Sequence, residues 1–264
     1  MDCRIRVSSE KEKGLGCYQR RAQRQWPAQG QHERIIGGSV TSINTYPFAA
    51  SLQINLDGSR FVHHCGGTII NNRSILTAAH CWRDVASMWR VRVGSTNVSS
   101  GGRLHNVAQL IRHPQNVGSW SHDNDVSIFR LATTIPLGSA TLRAAGLAGP
   151  NLPLHDHMNV FAIGWGFTTR TGGLSESLRH VQLRKFTQAR CRSSYGTSFI
   201  TDNMLCAGWE AGGRGSCFHD SGTALVAQNV VVGITSFVGD CGHSNWPGIY
   251  TRVGRFITWI ANNA

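Results

Sequence analysis

The sequence predicts an all-β protein built from two halves and ending in a helix. Its 264 residues include 30 Gly and 7 Pro, and only 15% of them are charged. Short apolar runs recur along the chain, a pattern that favours strands joined by turns over a helical bundle. The length is enough for one large domain or two small ones with a sizeable core.

The β-type runs begin only after residue 34. Residues 1–34 are polar and Arg-rich, lack periodicity and are interpreted as a leader rather than a folded unit. A Gly-, Ala- and Pro-rich passage at 138–153 separates two sets of runs, and residues 254–260 have apolar side chains at helical spacing. Paired antiparallel barrels suit this order, although the pattern alone does not separate them from a sandwich. The runs are 48–54, 68–70, 89–93, 107–111, 126–131, 160–165, 178–186, 223–226, 230–237 and 248–253.

The charge of the chain comes almost entirely from arginine. The formal net charge is +12, with 23 Arg against 3 Lys, and Lys185 is the only Lys after residue 34. Because Arg keeps its proton in alkaline surroundings where Lys loses it, this bias raises the hypothesis of an alkaline compartment; drift in base composition stays open. The Arg residues are scattered, which argues against nucleic-acid binding. No apolar stretch reaches the ~18–20 residues that span a membrane.

Eight cysteines point to an oxidising compartment. Their even number, wide spacing and lack of CxxC pairs indicate disulfides rather than zinc. Residues 1–31 contain no apolar run of the kind a secretory signal peptide has, so we expect the true start to lie upstream or the first residues to come from a wrong gene model. The cysteines are Cys3, Cys17, Cys65, Cys81, Cys191, Cys206, Cys217 and Cys241.

Three short motifs supply the groups needed to hydrolyse a peptide bond at a serine. His80 lies in Leu-Thr-Ala-Ala-His-Cys, Asp125 in Asp-Asn-Asp-Val-Ser and Ser221 in Cys-Phe-His-Asp-Ser-Gly. Such a reaction requires a hydroxyl, a base to take its proton, an acid to orient that base and donors for the oxyanion. A lone buried His or Asp is usually structural, but three such motifs in the order His, Asp, Ser are specific.

From Ile35 to its end the chain resembles the chymotrypsin family of serine proteases, especially invertebrate digestive members. The resemblance implies two antiparallel six-stranded Greek-key barrels, at 35–145 and 146–264, with a C-terminal helix. It also implies that Ser221 is the nucleophile and His80 the general base and later the general acid. Asp125 would hold the His tautomer, supported by Ser236.

The resemblance further implies a zymogen. Arg34-Ile35-Ile36-Gly37-Gly38 is similar to the family's activation junction, where cleavage after Arg34 frees the Ile35 amine to pair with Asp220. A buried Asp without a partner is costly, so this ion pair can switch the neighbouring loop into shape. The family pairing would join Cys65 to Cys81, Cys191 to Cys206 and Cys217 to Cys241; Cys3 and Cys17 have no family counterpart.

The primary specificity pocket is predicted to be uncharged. Its base corresponds to Gly215, where trypsin-like members have Asp, and its walls to Ser216 and Gly248. Val238 would narrow the neck, and Ser236 lines the substrate strand. An uncharged pocket favours apolar residues before the scissile bond, so chymotrypsin-like or elastase-like specificity is expected.

The main departure from the family is His219, where the family has Gly. The backbone N–H groups at this position and at Ser221 are the family's oxyanion donors. A His held at positive φ is strained, so two functions stay open: an active secreted endopeptidase, or a catalytically impaired homologue that acts by binding. A basic polyanion-binding module is a minor third alternative.

The remaining expectations concern partners and setting. Expected partners are peptide or protein substrates, an activating trypsin-like protease and proteinaceous inhibitors, with no nucleic acid and no membrane. We expect a monomer in an extracellular setting such as a gut lumen. No cofactor or metal is expected: His63-His64 beside Cys65 is interpreted as packing, and no acidic cluster for calcium lies between Trp82 and Leu110.

Overall fold

The computed structural model describes residues 35–83, 85–118 and 122–264. The predicted leader at 1–34, with Arg34, Cys3 and Cys17, lies outside these residues. No helix among the described residues is long and apolar enough to cross a membrane.

The first half is a closed antiparallel barrel in the strand order β2-β3-β4-β7-β6-β5. Its interior is filled by apolar side chains such as Leu52, Ile75, Trp89 and Phe129, all at most 1% exposed. Closure leaves no unpaired strand edge, which is how a small antiparallel sheet avoids aggregation. The strands are β2 (Ala49–Ile54), β3 (Val62–Ile69), β4 (Ser74–Thr77), β5 (Trp89–Val93), β6 (Arg103–Arg112) and β7 (Ser127–Leu131).

The second half is also a closed six-stranded barrel, in the order β8-β9-β10-β13-β12-β11, to which the short β1 (Ser39–Val40) is added beside β9. Val181, Leu183, Leu205 and Tyr250 lie in its interior. The strands are β8 (Asn159–Gly164), β9 (Arg179–Lys185), β10 (Met204–Gly208), β11 (Ala224–Ala227), β12 (Val230–Phe237) and β13 (Gly248–Arg252). The prediction of two six-stranded antiparallel barrels is therefore confirmed.

Two helices accompany the barrels. The helix α1 (Gln188–Tyr195) was not predicted; Thr187 caps it by accepting a hydrogen bond from the Arg190 N–H. The C-terminal helix α2 (Ile257–Asn263) confirms the predicted terminal helix, although a 3₁₀ turn at Val253–Arg255 delays its start.

Three disulfides tie the loops to the barrels. The structure joins Cys65 to Cys81, Cys191 to Cys206 and Cys217 to Cys241, which are the pairs that the resemblance implies. The first of these links β3 to the turn that carries His80. The third anchors the loop that carries Ser221.

Candidate active site

His80 and Asp125 form a buried hydrogen-bonded pair at the edge of the first barrel. His80 lies on a 3₁₀ turn (Ala79–Cys81) after β4, and Asp125 lies just before β7. One Asp125 oxygen accepts the His80 backbone N–H at 2.9 Å, and the other accepts Nδ1–H at 2.7 Å. The Ser236 hydroxyl donates to this second oxygen. Asp125 is thus clamped from both barrels.

The protonation state of the pair follows from these contacts. Burial opposes ionisation of Asp125, but attraction to His80 and the hydrogen bonds from His80 and Ser236 outweigh it, so the pKa of Asp125 lies below its ordinary value. An ionised Asp125 that accepts Nδ1–H leaves the lone pair of the His80 imidazole on Nε2. With 26% of its side chain exposed, His80 can present this nitrogen to a substrate.

Ser221 lies on a tight loop packed against the segment that leads into His80. Its carbonyl accepts the Gly66 N–H at 2.8 Å, and the next residue, Gly222, donates its N–H to the Thr235 carbonyl at 2.8 Å. Gly222 has φ +82°, and a Cβ there would lie 2.1 Å from the Thr77 hydroxyl oxygen, so only Gly fits. The close approach brings Ser221 to the end of β4, which leads into the His80 turn.

The carboxylate of Asp220 is buried beside Ser221 with no cation to balance it. It accepts the Gly166 N–H at 2.8 Å and the Cys217 N–H at 3.0 Å, and no cationic group among the described residues lies within salt-bridge distance. Burial raises the pKa of Asp220 to about 7, although both hydrogen bonds oppose the rise. A Cβ on Gly164 or Gly166 would come within 2.5 Å of this carboxylate, which explains the Gly-Trp-Gly motif.

The residue after the predicted activation site, Ile35, is fully buried among the side chains of the second barrel. The following residue, Ile36, forms a bridge with Gly215 and accepts its N–H at 3.0 Å. The segment that would carry a new amino terminus is therefore attached to the base of the predicted specificity pocket.

His219 occupies the left-handed region of backbone conformation, with φ +68°. This conformation is costly for a residue with a Cβ, by about 1–3 kcal/mol. The family's Gly at this position left two outcomes open, a strained His or a peptide turned away, and the structure has the strained His. Among the described residues, the backbone N–H groups of His219 and Ser221 donate to no protein acceptor, so both are free to bind a substrate oxygen.

His63 supports the same loop from inside the protein. Its Nε2–H donates to the His219 carbonyl at 3.1 Å, while its Nδ1 accepts the Ser51 hydroxyl at 2.8 Å. Burial lowers the pKa of His63 to about 3, so the ring is neutral and has the tautomer that both contacts require. The sequence indicated a packing role for His63 and gave no sign of this contact, because the two residues are 156 positions apart.

The predicted pocket residues Gly215, Ser216 and Gly248 are buried and carry no charged side chain. The hydroxyl of Ser216 bonds that of Tyr250 at 2.7 Å. Val238, directly after β12, is half-buried. The nearby Asp240 pairs with Arg170 at 3.0 Å.

One further residue beside His80 was missed by sequence reasoning. The His122 ring lies 6.2 Å from the His80 ring and packs on Phe237 at 4.6 Å between ring centres. Nothing in the residues around His122 signals this position, because it depends on the return of β12 to the site.

Comparisons with known proteins agree on one family. Residues 35–260 match the family model described as Trypsin. The chain is 45% identical over 236 residues to "Trypsin, alkaline C" of Manduca sexta, covering 88% of this chain and 91% of that protein. It is 46% identical over 240 residues to "Trypsin CFT-1" of Choristoneura fumiferana, covering 89% and 92%.

A solved structure supports the same assignment. Mouse neuropsin, described as a serine protease expressed in the limbic system of the brain, superposes with a TM-score of 0.76 at 31% identity, covering 86% of this chain and 98% of that one. The chain therefore belongs to the trypsin family and is a serine endopeptidase.

Proposed function

We propose that this chain is an active secreted endopeptidase, made as a zymogen, in which Ser221, His80 and Asp125 carry the chemistry. The observation that carries the proposal is the hydrogen-bonded Asp125–His80 pair together with the backbone N–H groups of His219 and Ser221, which donate to no acceptor among the described residues. A binding homologue has no need of either feature.

The three residues and the oxyanion donors act in sequence in the proposed reaction. The Ser221 oxygen attacks the substrate carbonyl while Nε2 of His80 takes its proton, and Asp125 stabilises the resulting imidazolium. The His219 and Ser221 N–H groups bind the oxyanion. His80 then protonates the leaving amine as the C–N bond breaks, and a water molecule, deprotonated by His80, releases the acyl group and restores Ser221.

Activation is proposed to depend on Asp220. In the single chain its carboxylate is buried with no cation near it among the described residues, and its pKa is raised to about 7. Cleavage after Arg34 creates an amine at Ile35, whose side chain already lies in the second barrel. A salt bridge from that amine to Asp220 would offset the desolvation of the carboxylate and fix the loop before Ser221. The activating enzyme must cut after Arg.

The proposed substrates have an apolar residue before the scissile bond. The relatives named above are trypsins, yet Gly215, Ser216 and Gly248 place no carboxylate where a Lys or Arg side chain would be bound. A buried substrate cation without a partner would be strongly disfavoured. The half-buried Val238 supports Leu, Met or Ala as well as Phe.

An alkaline working environment is also proposed. Lys185, the only lysine after residue 34, is paired with Asp156, and the three tyrosines after residue 34 have hydrogen-bonded hydroxyls. Burial raises the pKa of Tyr46 and of Tyr195 to about 12. The basic charge on the domain is otherwise arginine, so it changes little between pH 8 and 10, and one relative is itself called an alkaline trypsin.

Labelling with a fluorophosphonate tests the proposed function. The Ser221 oxygen displaces fluoride at phosphorus only when His80 accepts its proton and the oxyanion donors are in place. We expect the protein cleaved at Arg34 to be labelled once per chain, and Ser221→Ala and the uncleaved chain to be labelled far more slowly. A folded, cleaved protein that takes up no label would identify a silent homologue.

A further inference from the structure

The imidazole of His219 makes two contacts that fix its own peptide. Its Nδ1 lies 3.1 Å from the His64 carbonyl, which can only accept, so Nδ1 carries the proton and donates. The ring also stacks on Phe167, with 5.0 Å between ring centres and 30° between planes. A side chain that merely tolerated the strained backbone would need neither contact.

The partners of the imidazole are themselves fixed. His64 lies on β3 next to Cys65, whose disulfide leads to the His80 turn. Phe167 donates its backbone N–H to the Phe218 carbonyl at 2.8 Å, so it is tied to the residue just before His219. The ring of His219 is thus held between the first barrel and the loop after β8.

A separate hydrogen bond holds the backbone carbonyl of His219. This carbonyl accepts Nε2–H of the buried His63, one residue before His64 on the same strand. With the carbonyl and the imidazole both attached to β3, rotation of the peptide out of the left-handed region would break two hydrogen bonds and one ring contact. The His219 N–H is then the group of this peptide that has no acceptor within the described part of the chain.

We propose that the His219 imidazole is a positioning residue for the oxyanion hole, because its bond to the His64 carbonyl and its stacking on Phe167 hold the His219 N–H toward the substrate oxygen. This role replaces the conformational freedom that Gly provides elsewhere in the family. The proposal rests on the proposed function, since it concerns the same reaction.

Kinetics of His219 variants in the cleaved enzyme test the proposal. His219→Ala keeps the backbone strain but loses both contacts, so kcat should fall by about 10²-fold or more with KM little changed, as when one oxyanion donor is lost. His219→Gly removes the contacts and the strain together, and kcat should fall by less than about 10-fold. Phe167→Ala removes only the stacking, and we expect a loss of about 3–10-fold.

An inhibitor pair separates positioning from general damage. A peptide aldehyde forms a tetrahedral oxyanion on Ser221, so its affinity should fall in His219→Ala in parallel with kcat, whereas that of the matching peptide alcohol should not change. His155→Ala, at an exposed loop histidine, is the control and should match the parent in every assay. Equal kcat for His219→Ala and the parent, or a gain above 10-fold in His219→Gly, would overturn the proposal.

A readout without turnover distinguishes this proposal from the proposed function. In ¹⁵N-histidine NMR spectra, assigned by difference with His219→Asn, the His219 ring should be the Nδ1–H tautomer in the parent and also in Phe167→Ala, which keeps the bond to the His64 carbonyl. An Nε2–H tautomer in the parent contradicts the positioning role even if the enzyme is active. A parent with the Nδ1–H tautomer but no fluorophosphonate labelling retains the clamp and refutes the protease.

Discussion

The two sides of the candidate site differ in how completely their polar groups are satisfied. On the first-barrel side, Asp125 accepts hydrogen bonds from His80 and Ser236, and its pKa lies below the ordinary value. On the oxyanion-loop side, Asp220 is buried with no cation beside it in the part of the chain that the structure describes. Its pKa is raised, and His219 is strained. In the single chain the carboxylate that orients His80 has its hydrogen-bond partners, whereas the carboxylate beside Ser221 lacks a cation among the described residues.

This difference indicates which part of the site cleavage would regulate. The geometry of Asp125 and His80 follows from the two barrels alone, so it needs no event after folding. In the proposed activation, the loop from Cys217 to Gly222 instead needs the amine that cleavage would free at Ile35, in addition to the side-chain contacts of His219. If the chain is a zymogen, as proposed, this loop is the part of the site that cleavage would complete.

The largest loss of kcat should come from a change on the first-barrel side, at Asp125. Asp125→Asn keeps the shape but favours the wrong His80 tautomer, and kcat should fall by about 10⁴-fold, as it does for this change in chymotrypsin-type enzymes. The measurement is kcat of the cleaved enzyme on a peptide anilide, with Ser221→Ala as the lower limit. A loss of less than 10-fold would mean that Asp125 does not set the tautomer.

A change at Asp220, on the oxyanion-loop side, should lower the activity of the cleaved enzyme and raise the stability of the uncleaved chain. In the cleaved enzyme, Asp220→Asn removes the partner of the Ile35 amine, so kcat should fall by about 10²-fold or more through loss of the oxyanion donors. In the uncleaved chain, the same change removes a buried, uncompensated carboxylate and should raise the free energy of unfolding at pH 8.

The pH dependence of the uncleaved chain sharpens this prediction. The folded pKa of Asp220, about 7, lies above its ordinary value, so the unfolded state releases this proton first. The contribution of Asp220 to stability is therefore present below pH 4 and is lost as the pH rises from 4 to 7. Urea titrations of the parent and Asp220→Asn at several pH values measure it. Parallel profiles for the two proteins would refute the raised pKa.

A smaller effect is expected at the pocket base, which borders the same loop. Gly215→Asp places a carboxylate in an uncharged pocket, so kcat/KM for Phe and Leu substrates should fall by about 10–10²-fold. A Cβ at this position would lie 3.2 Å from the Gly242 nitrogen, which leaves little room for relaxation. Ser139→Asp, on an exposed loop, is the matched control. Unchanged turnover in Gly215→Asp would show that Gly215 does not line the specificity pocket.

The smallest effect concerns the alkaline limit of stability. Burial raises the pKa of Tyr195 to about 12, and its hydroxyl donates to the Pro247 carbonyl at 2.8 Å. The unfolded state loses this proton near pH 10, so stability is lost as the pH rises from 10 to 12. Tyr195→Phe should reduce that loss in thermal melts of the cleaved enzyme. An equally steep loss of stability in Tyr195→Phe would show that groups other than Tyr195 cause it.

The sequence predicted most of the strands because their apolar runs face a barrel interior. It missed the two-residue β1 (Ser39–Val40), which is too short to form a pattern. It also missed β4 (Ser74–Thr77) and β10 (Met204–Gly208), which are short and wholly buried and therefore show no alternation. It shortened β6 (Arg103–Arg112), whose first residues are exposed and polar. The helix α1 has no apolar face, since Cys191 is its only buried residue, so periodicity could not reveal it.

The candidate site was predictable where a motif is local and unpredictable where partners are distant. His80, Asp125 and Ser221 each lie in a distinctive run, and the family's Gly at this position made a strained φ at His219 one of two outcomes. The contacts that compensate the strain come from His63, His64 and Phe167, and the first two lie more than 150 positions away. Only the closed fold brings them to the loop.

The most direct test of this account is turnover by the domain released at Arg34. Phe-, Leu-, Ala- and Arg-anilide peptides would be assayed before and after cleavage, with Ser221→Ala as control. We expect turnover of the Phe or Leu peptide, only after cleavage and not in Ser221→Ala. Turnover of the Arg peptide alone would contradict the pocket assignment. A folded, cleaved protein that turns over none of the four would contradict the central claim that His219 is compatible with catalysis.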